Sequence, residues 1–184
     1  MKDLIVVATS PGREEWAKQC FESIKRPHVV VSAYGYELGK IRWFYQNTNY
    51  DRIVFLQDSV VITDPNIFDK IAETPGTICL HHEARHLSCY LGVYERSVLD
   101  TIDIPAISTK LEAVQNESIW TISYTEACGE ITCFDEEGFW APGRTFYEER
   151  NGRLNLAYKN DYMIKYRGDW GQRSNFTETD PITE

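Results

Sequence analysis

Three short runs rich in β-branched residues, separated by two amphipathic segments, fill residues 4–57 and constrain this chain more than any other feature. The first run, residues 4–8 (Leu-Ile-Val-Val-Ala), reads as a buried strand. In the segment after it, Ser10 is placed to cap a helix and Pro11 to sit in its first turn. Glu14 and Glu15 complement the helix dipole. Trp16, Ala17, Cys20, Phe21 and Ile24 follow at the 3–4 spacing of one buried face, and Pro27 closes the segment. Residues 28–32 form a second strand, 34–39 a loop and 40–46 a second helix, with Ile41, Phe44 and Tyr45 spaced for burial. Residues 52–57 are a third strand, ending at Asp58-Ser59. Residues 60–62 continue extended, and a helix follows at 66–73.

Strand, helix, strand, helix, strand predicts a parallel sheet with right-handed crossovers. In such sheets ligands bind beyond the carboxyl ends of the strands. Two loops fall at that edge, residues 9–13 and 57–59. The second half is more mixed. It predicts strands at 77–80 and 90–94, and helices at 97–102 and 109–124. The latter helix carries Leu111, Val114, Ile119 and Trp120. A hairpin is expected about Asn151-Gly152 between strands 146–150 and 153–158, then a strand at 162–167 and a polar tail at 174–184. The expectation is a single α/β domain over 1–173, with a binding half at 1–100 and an acceptor half at 101–173.

Composition narrows the function classes. Hydrophobic residues make up 42% of the 184, enough for a real core. The net charge of −9 and pI near 5.0 oppose passive binding to nucleic acid. The five cysteines are odd in number and form no Cys-x-x-Cys, which favours reduced thiols over a disulfide framework. No apolar run is long enough to span a membrane, and the first residues do not read as a leader. A cytoplasmic protein is expected, in a host's cytoplasm if the source is viral.

Asp58 is the leading candidate for chemistry. An apolar strand that delivers a carboxylate to its end is one way for an α/β protein to hold a ribose or a divalent cation. The competing reading is an aspartate that caps the next turn. Residues 1–100, from the 9–13 loop through Tyr50-Asp51-Arg52-Ile53-Val54-Phe55-Leu56-Gln57-Asp58-Ser59, resemble the nucleotide-sugar-binding half of GT-A-fold glycosyltransferases. The resemblance implies a mostly parallel Rossmann-type sheet flanked by helices, with a mixed or antiparallel C-terminal half. It implies a nucleotide-diphosphate sugar as donor, bound by Thr9, Ser10, Arg13, Gln57, Asp58 and Ser59. It also implies Mn²⁺ or Mg²⁺ on the diphosphate. Gln57-Asp58-Ser59 occupies the place of the family's acidic triplet with one acid only, and Ser59 stands where the usual metal ligand would be.

The same resemblance puts Asn116-Glu117 near the family's acidic pair and makes Glu117 the candidate base for an acceptor hydroxyl. Glu112, Asp135 and Glu136 are its rivals, and the plain alternative for Glu117 is an exposed helix carboxylate. His82-Glu83-Ala84-Arg85-His86 matches H-E-x-x-H, the zinc peptidase pattern. The strand expected just before it and the charge of Arg85 weigh against that reading. A loop position leaves His81, His82 or His86 near Asp58 as a metal or phosphate partner, and His82 is the candidate metal ligand. Lys165, Arg167 and Trp170 are candidates for closing over phosphates, against a solvated strand face. The acceptor class stays open among a glycan, a protein, a lipid-linked sugar and a modified DNA base, and a homo-oligomer is compatible with the small size. A zinc peptidase, a nucleotidyltransferase and a non-catalytic sugar-nucleotide-binding module are the rival functions.

Overall fold

The computed structural model describes residues 2–32, 35–80, 91–138, 141–150 and 152–167. The elements are β1 (Asp3–Ala8), α1 (Glu14–Ile24), β2 (Val29–Val31), α2 (Tyr36–Asn47), β3 (Arg52–Gln57), β4 (Val60–Ile62), α3 (Ile67–Glu73), β5 (Thr77–Cys79), β6 (Leu91–Glu95), α4 (Arg96–Leu99), α5 (Lys110–Cys128), β7 (Ile131–Cys133), β8 (Thr145–Arg150), β9 (Arg153–Lys159) and β10 (Met163–Arg167).

They build two sheets. The larger runs in the order β2-β1-β3-β6-β5-β7, the smaller in the order β4-β10-β9-β8. In the larger sheet β1 pairs in parallel with β2 and β3, and β5 with β7; β6 alone runs against its neighbours. The smaller sheet is antiparallel throughout.

Strand β3 shows why the sequence folds this way. Ile53 and Phe55 point into a core packed with Leu38, Ile41 and Phe44 of α2 and Trp120 and Tyr124 of α5. Val54 and Leu56 point to the opposite face, among Cys20 and Ile24 of α1 and Ile67 and Ile71 of α3. A strand buried on both faces has to be apolar at consecutive positions, not at alternate ones. Among the described residues, no helix is long and apolar enough to cross a membrane.

Several expectations need correction. Ser10 caps nothing: Arg13 holds the N-cap position of α1 without a side-chain cap. Helix α2 starts at Tyr36, four residues before the expected 40, from Gly35 in the left-handed region (φ +84°). Helix α5 starts from a capping box of Thr109 and Glu112. It buries Trp120, Thr121 and Tyr124, whereas Leu111, Val114 and Ile119 face outward. Strand β7 was not expected. It brings Cys133 into register with Cys79. Hydrogen bonding to Cys79 pulls the Cys133 thiol down to about 7. The described cysteines are free thiols.

Gly35 is packed closely against neighbouring backbone. A Cβ there would lie 2.9 Å from Gly39 Cα and 3.2 Å from Ile107 O. Gly143 shares the positive φ (+80°) with open space around it. Gly143→Ala should therefore cost only the left-handed strain, about 1 kcal/mol. Gly35→Ala should cost at least about 2–3 kcal/mol, because backbone must also move. Urea denaturation of the two variants checks this; equal losses would contradict it.

Candidate functional site

Residues from both sheets converge just past the carboxyl ends of β1 and β3. Asp58 N donates to Ala8 O at 3.0 Å, extending the β1–β3 ladder by one bond and holding the Asp58 side chain at the sheet edge. Strand β3 then leaves the large sheet, and β4 begins the small one. Tyr166 N donates to Ser59 O at 2.9 Å, so Asp58 and Ser59 lie at the junction of the two sheets. The register Lys165↔Val60 then delivers Lys165 from β10 to the same point.

Asp58 is 4% exposed and both of its oxygens are engaged. Thr9 Oγ1 donates to Oδ2 at 2.9 Å, and Arg13 donates from Nε to Oδ2 at 2.7 Å and from Nη2 to Oδ1 at 2.6 Å. This is a two-pronged guanidinium–carboxylate pair, the strongest ion-pair geometry available. Its hydrogen bonds to Asp58 raise the Arg13 pKa. The turn that sets Arg13 in place runs through Gly12 (φ +79°), with Arg13 N donating to Ser10 O.

Helix α2 supplies the next layer. Lys40 lies on its buried face, 4% exposed, and donates from Nζ to Ser10 Oγ at 3.3 Å. Burial lowers its pKa. Glu37 accepts a short hydrogen bond from Gln57 Nε2, and Gln57 Oε1 accepts another from Lys165 Nζ, which also donates to Ser59 Oγ. Burial pushes the Lys165 ammonium down to about 8, against the pull of Glu37 and Asp58. Cys20 Sγ sits beneath, 3.7 Å from Gln57 O, and burial pushes its thiol up to about 12. Three cations (Arg13, Lys40, Lys165) thus meet two carboxylates (Glu37, Asp58) among the described residues at this edge.

A groove of about 670 Å³ adjoins the cluster on the α1–β2 side. Thr9, Ser10 and Pro11 line it with Phe21, Val30 and Ser32, and the charged side chains on it are Glu14, Lys18 and Glu22 of α1. Asp58 does not line it, so groove and charge cluster are neighbours that share Thr9 and Ser10.

All six residues expected to bind a donor, Thr9, Ser10, Arg13, Gln57, Asp58 and Ser59, are therefore brought to one edge. The sequence reading missed Glu37 and Lys40. It named Lys165 but favoured a solvated strand face; the structure places it in the cluster. A signal for Lys40 was present, since a lysine falls within the apolar 3–4 spacing of α2 beside Ile41 and Phe44. Glu117 is half-buried, midway along α5, and its backbone carbonyl accepts from Thr121 Oγ1. Its rivals have other work. Glu112 closes the capping box, and Asp135 is paired with Arg144 at 2.5 Å and Asn160 at 3.1 Å. Glu136 is exposed. His81, His82, His86 and Trp170 lie outside the described residues, as does the Arg167 side chain.

The described donor set does not fit a divalent metal. Both Asp58 oxygens already accept from Arg13 and Thr9. No group of three or more His, Cys, Asp or Glu side chains able to hold an ion occurs among the described residues.

No protein-family model and no curated protein sequence matches the chain. Solved structures do. The crystal structure of A197 from STIV, a viral protein, aligns over 92% of this chain and 95% of its own, with a TM-score of 0.51 at 12% identity. A mutant of Drosophila β-1,4-galactosyltransferase 7, crystallised with manganese, UDP-Gal and xylobiose, aligns over 98% of this chain and 76% of its own. Its TM-score is 0.58 at 11% identity. At such identities the likeness shows the fold alone, and that fold is GT-A-like.

Lys165 gives a pH signature. Unfolded, it titrates near the ordinary 10.5; folded, near 8. Between those values the unfolded chain holds more protons, so rising pH favours the folded state. The wild type should gain stability relative to Lys165→Met from pH 8 to pH 10.5. Denaturant titrations across that range check this, and a constant difference would contradict it.

Proposed function

We propose that the chain is a glycosyltransferase that takes a nucleotide-diphosphate sugar at the β1–β3 edge and passes the sugar to a hydroxyl acceptor. The observation that carries this reading is the meeting of Thr9, Ser10, Arg13 and Asp58 with the cations Lys40 and Lys165 beside a groove of nucleoside size. The GT-A-like fold, and a structural neighbour crystallised with UDP-Gal, support it.

In this reading the nucleoside lies in the groove against Phe21 and Val30, whose apolar surfaces suit a flat base. The diphosphate turns inward over Ser10 toward the cluster. The bond from the sugar's anomeric carbon to the diphosphate oxygen breaks, and a bond to the acceptor oxygen forms. Glu117 is the proposed base for the acceptor proton, and Glu37, inside the cluster, is the rival that the geometry adds. The proposed organisation is one catalytic unit over 1–173, with the acceptor side built from 101–173.

The test is a thermal-shift screen of nucleotide-diphosphate sugars, followed by product analysis. A saturating donor at about 100 times its Kd stabilises by roughly 2.7 kcal/mol, which is about 5–10 °C for a chain of this size. Ser32→Trp, an exposed substitution that fills the groove, should abolish the shift without lowering the melting temperature of the free protein. If no nucleotide sugar shifts the wild type, the proposal falls. If a donor shifts it and neither hydrolysis nor transfer follows, the chain is a sugar-nucleotide-binding module and the catalytic part falls.

A further inference from the structure

We propose that the edge of β1 and β3 is a metal-free phosphate cradle, in which Lys40, Lys165 and Arg13 hold the donor's diphosphate directly. The inference rests on the nucleotide-sugar reading for the identity of its ligand, and on the cluster's own geometry for everything else.

The first argument is occupancy. A divalent cation on Asp58 needs at least one carboxylate lone pair facing it. Here two hydrogen bonds from Arg13 and one from Thr9 Oγ1 take three of the carboxylate's about four lone-pair sites. The guanidinium already supplies the positive charge that a metal would bring, and its outer edge faces solvent, with 36% of the side chain exposed.

The second argument is Lys40. Holding an ammonium out of water costs several kcal/mol, unless charge or hydrogen bonds repay it. Lys40 is buried on a helix face otherwise occupied by Leu38, Ile41 and Phe44; its hydrogen-bond partner is a neutral hydroxyl, Ser10 Oγ at 3.3 Å, and the charges of Glu37 and Asp58 offset only part of the burial. Ser10 also lines the groove. A phosphate entering past Ser10 would meet Lys40 first, and its charge would repay the burial.

The third argument is convergence. Arg13 comes from the start of α1, Lys40 from α2 and Lys165 from β10, so three separate elements deliver cations to one edge. Glu37 and Asp58 lie among them, and the Glu14 carboxylate accepts from Gly12 N in the neighbouring loop. As the sugar's C1–O bond breaks, its electron pair passes to the diphosphate oxygen. Preorganised ammonium and guanidinium groups stabilise that charge without a proton transfer.

Calorimetric titration tests this with inorganic pyrophosphate and a panel of nucleoside diphosphates, first in EDTA and then in MnCl₂. Pyrophosphate and at least one nucleoside diphosphate are expected to bind in EDTA, with affinity changed by less than about twofold on adding Mn²⁺. Lys40→Met and Lys165→Met should each weaken binding by about tenfold or more, the worth of one charged hydrogen bond. Asp58→Asn should change binding equally in EDTA and in MnCl₂; a metal-ligand role for Asp58 demands a loss confined to MnCl₂. Circular dichroism checks each fold, and Lys165→Met carries the test if the buried Lys40→Met unfolds. Binding seen only with Mn²⁺, or weakened by Asp58→Asn in MnCl₂ alone, overturns the cradle while the nucleotide-sugar reading survives. Pyrophosphate binding in EDTA with no nucleoside diphosphate bound in either buffer leaves the cradle standing and sinks that reading. No binding of any probe overturns both.

Discussion

A carboxylate almost closed to water at the end of a fully buried strand has to be answered by positive charge, and the Arg13–Asp58 pair is that answer. Much of the local structure follows from it. The β1 exit loop must bend through Gly12 to bring Arg13 across, α1 must start at Arg13, and Thr9 must turn its hydroxyl inward. Removing one partner from a fully buried pair costs about 3–5 kcal/mol, because the other charge is stranded. The cost here is smaller from the Arg13 side, since that guanidinium keeps contact with water. The proposed diphosphate would add a further anion to these three cations and two acids, which links the local electrostatics to that ligand.

The opposite edge of the sheet has been built for rigidity. Arg52 opens β3 fully buried, pairs with Asp3 at 2.5 and 2.8 Å, and donates to the carbonyls of Ile71, Thr74 and Gly76 at and after the end of α3. Arg96 does the same for α2, reaching the carbonyls of Tyr45, Thr48 and Tyr50. Both arginines satisfy carbonyls that helix ends leave without partners. The two helices that flank β3 are thus anchored at one end of the sheet, and the other end carries the polar groups around Asp58. Trp16 and Tyr166, 5.6 Å apart with Arg150 over both, tie α1 to the small sheet beside the cluster.

The order of β1 to β3 and the place of Asp58 were legible because they rest on local signals: β-branched runs, 3–4 spacing, and a carboxylate after an apolar strand. Arg13 was legible for the same reason. Lys165 was named as a candidate but its place in the cluster was not legible, because the register of β10 on β4 brings it there, and that register is set by packing between strands far apart in the chain. The start of α2 was missed because Gly35 serves as an N-cap through a positive φ, where no Ser, Thr or Asp announces it. Leu111, Val114 and Ile119 misled because hydrophobic residues on a helix do not have to be its buried face. Helix α5 packs through Trp120, Thr121 and Tyr124, and Tyr124 Oη bonds with Thr77 Oγ1 and accepts from Glu95 N.

Whether Arg13 or a metal ion answers Asp58 when donor is bound decides between this account and a conventional cation-assisted site. The most direct measurement is a crystal structure of the protein with a nucleoside diphosphate, grown in Mn²⁺, with data collected at the manganese absorption edge. The account expects phosphate oxygens within hydrogen-bonding distance of Lys40 and Lys165, Arg13 still on Asp58, and no anomalous peak at that carboxylate. A manganese peak on Asp58 with Arg13 displaced would contradict it.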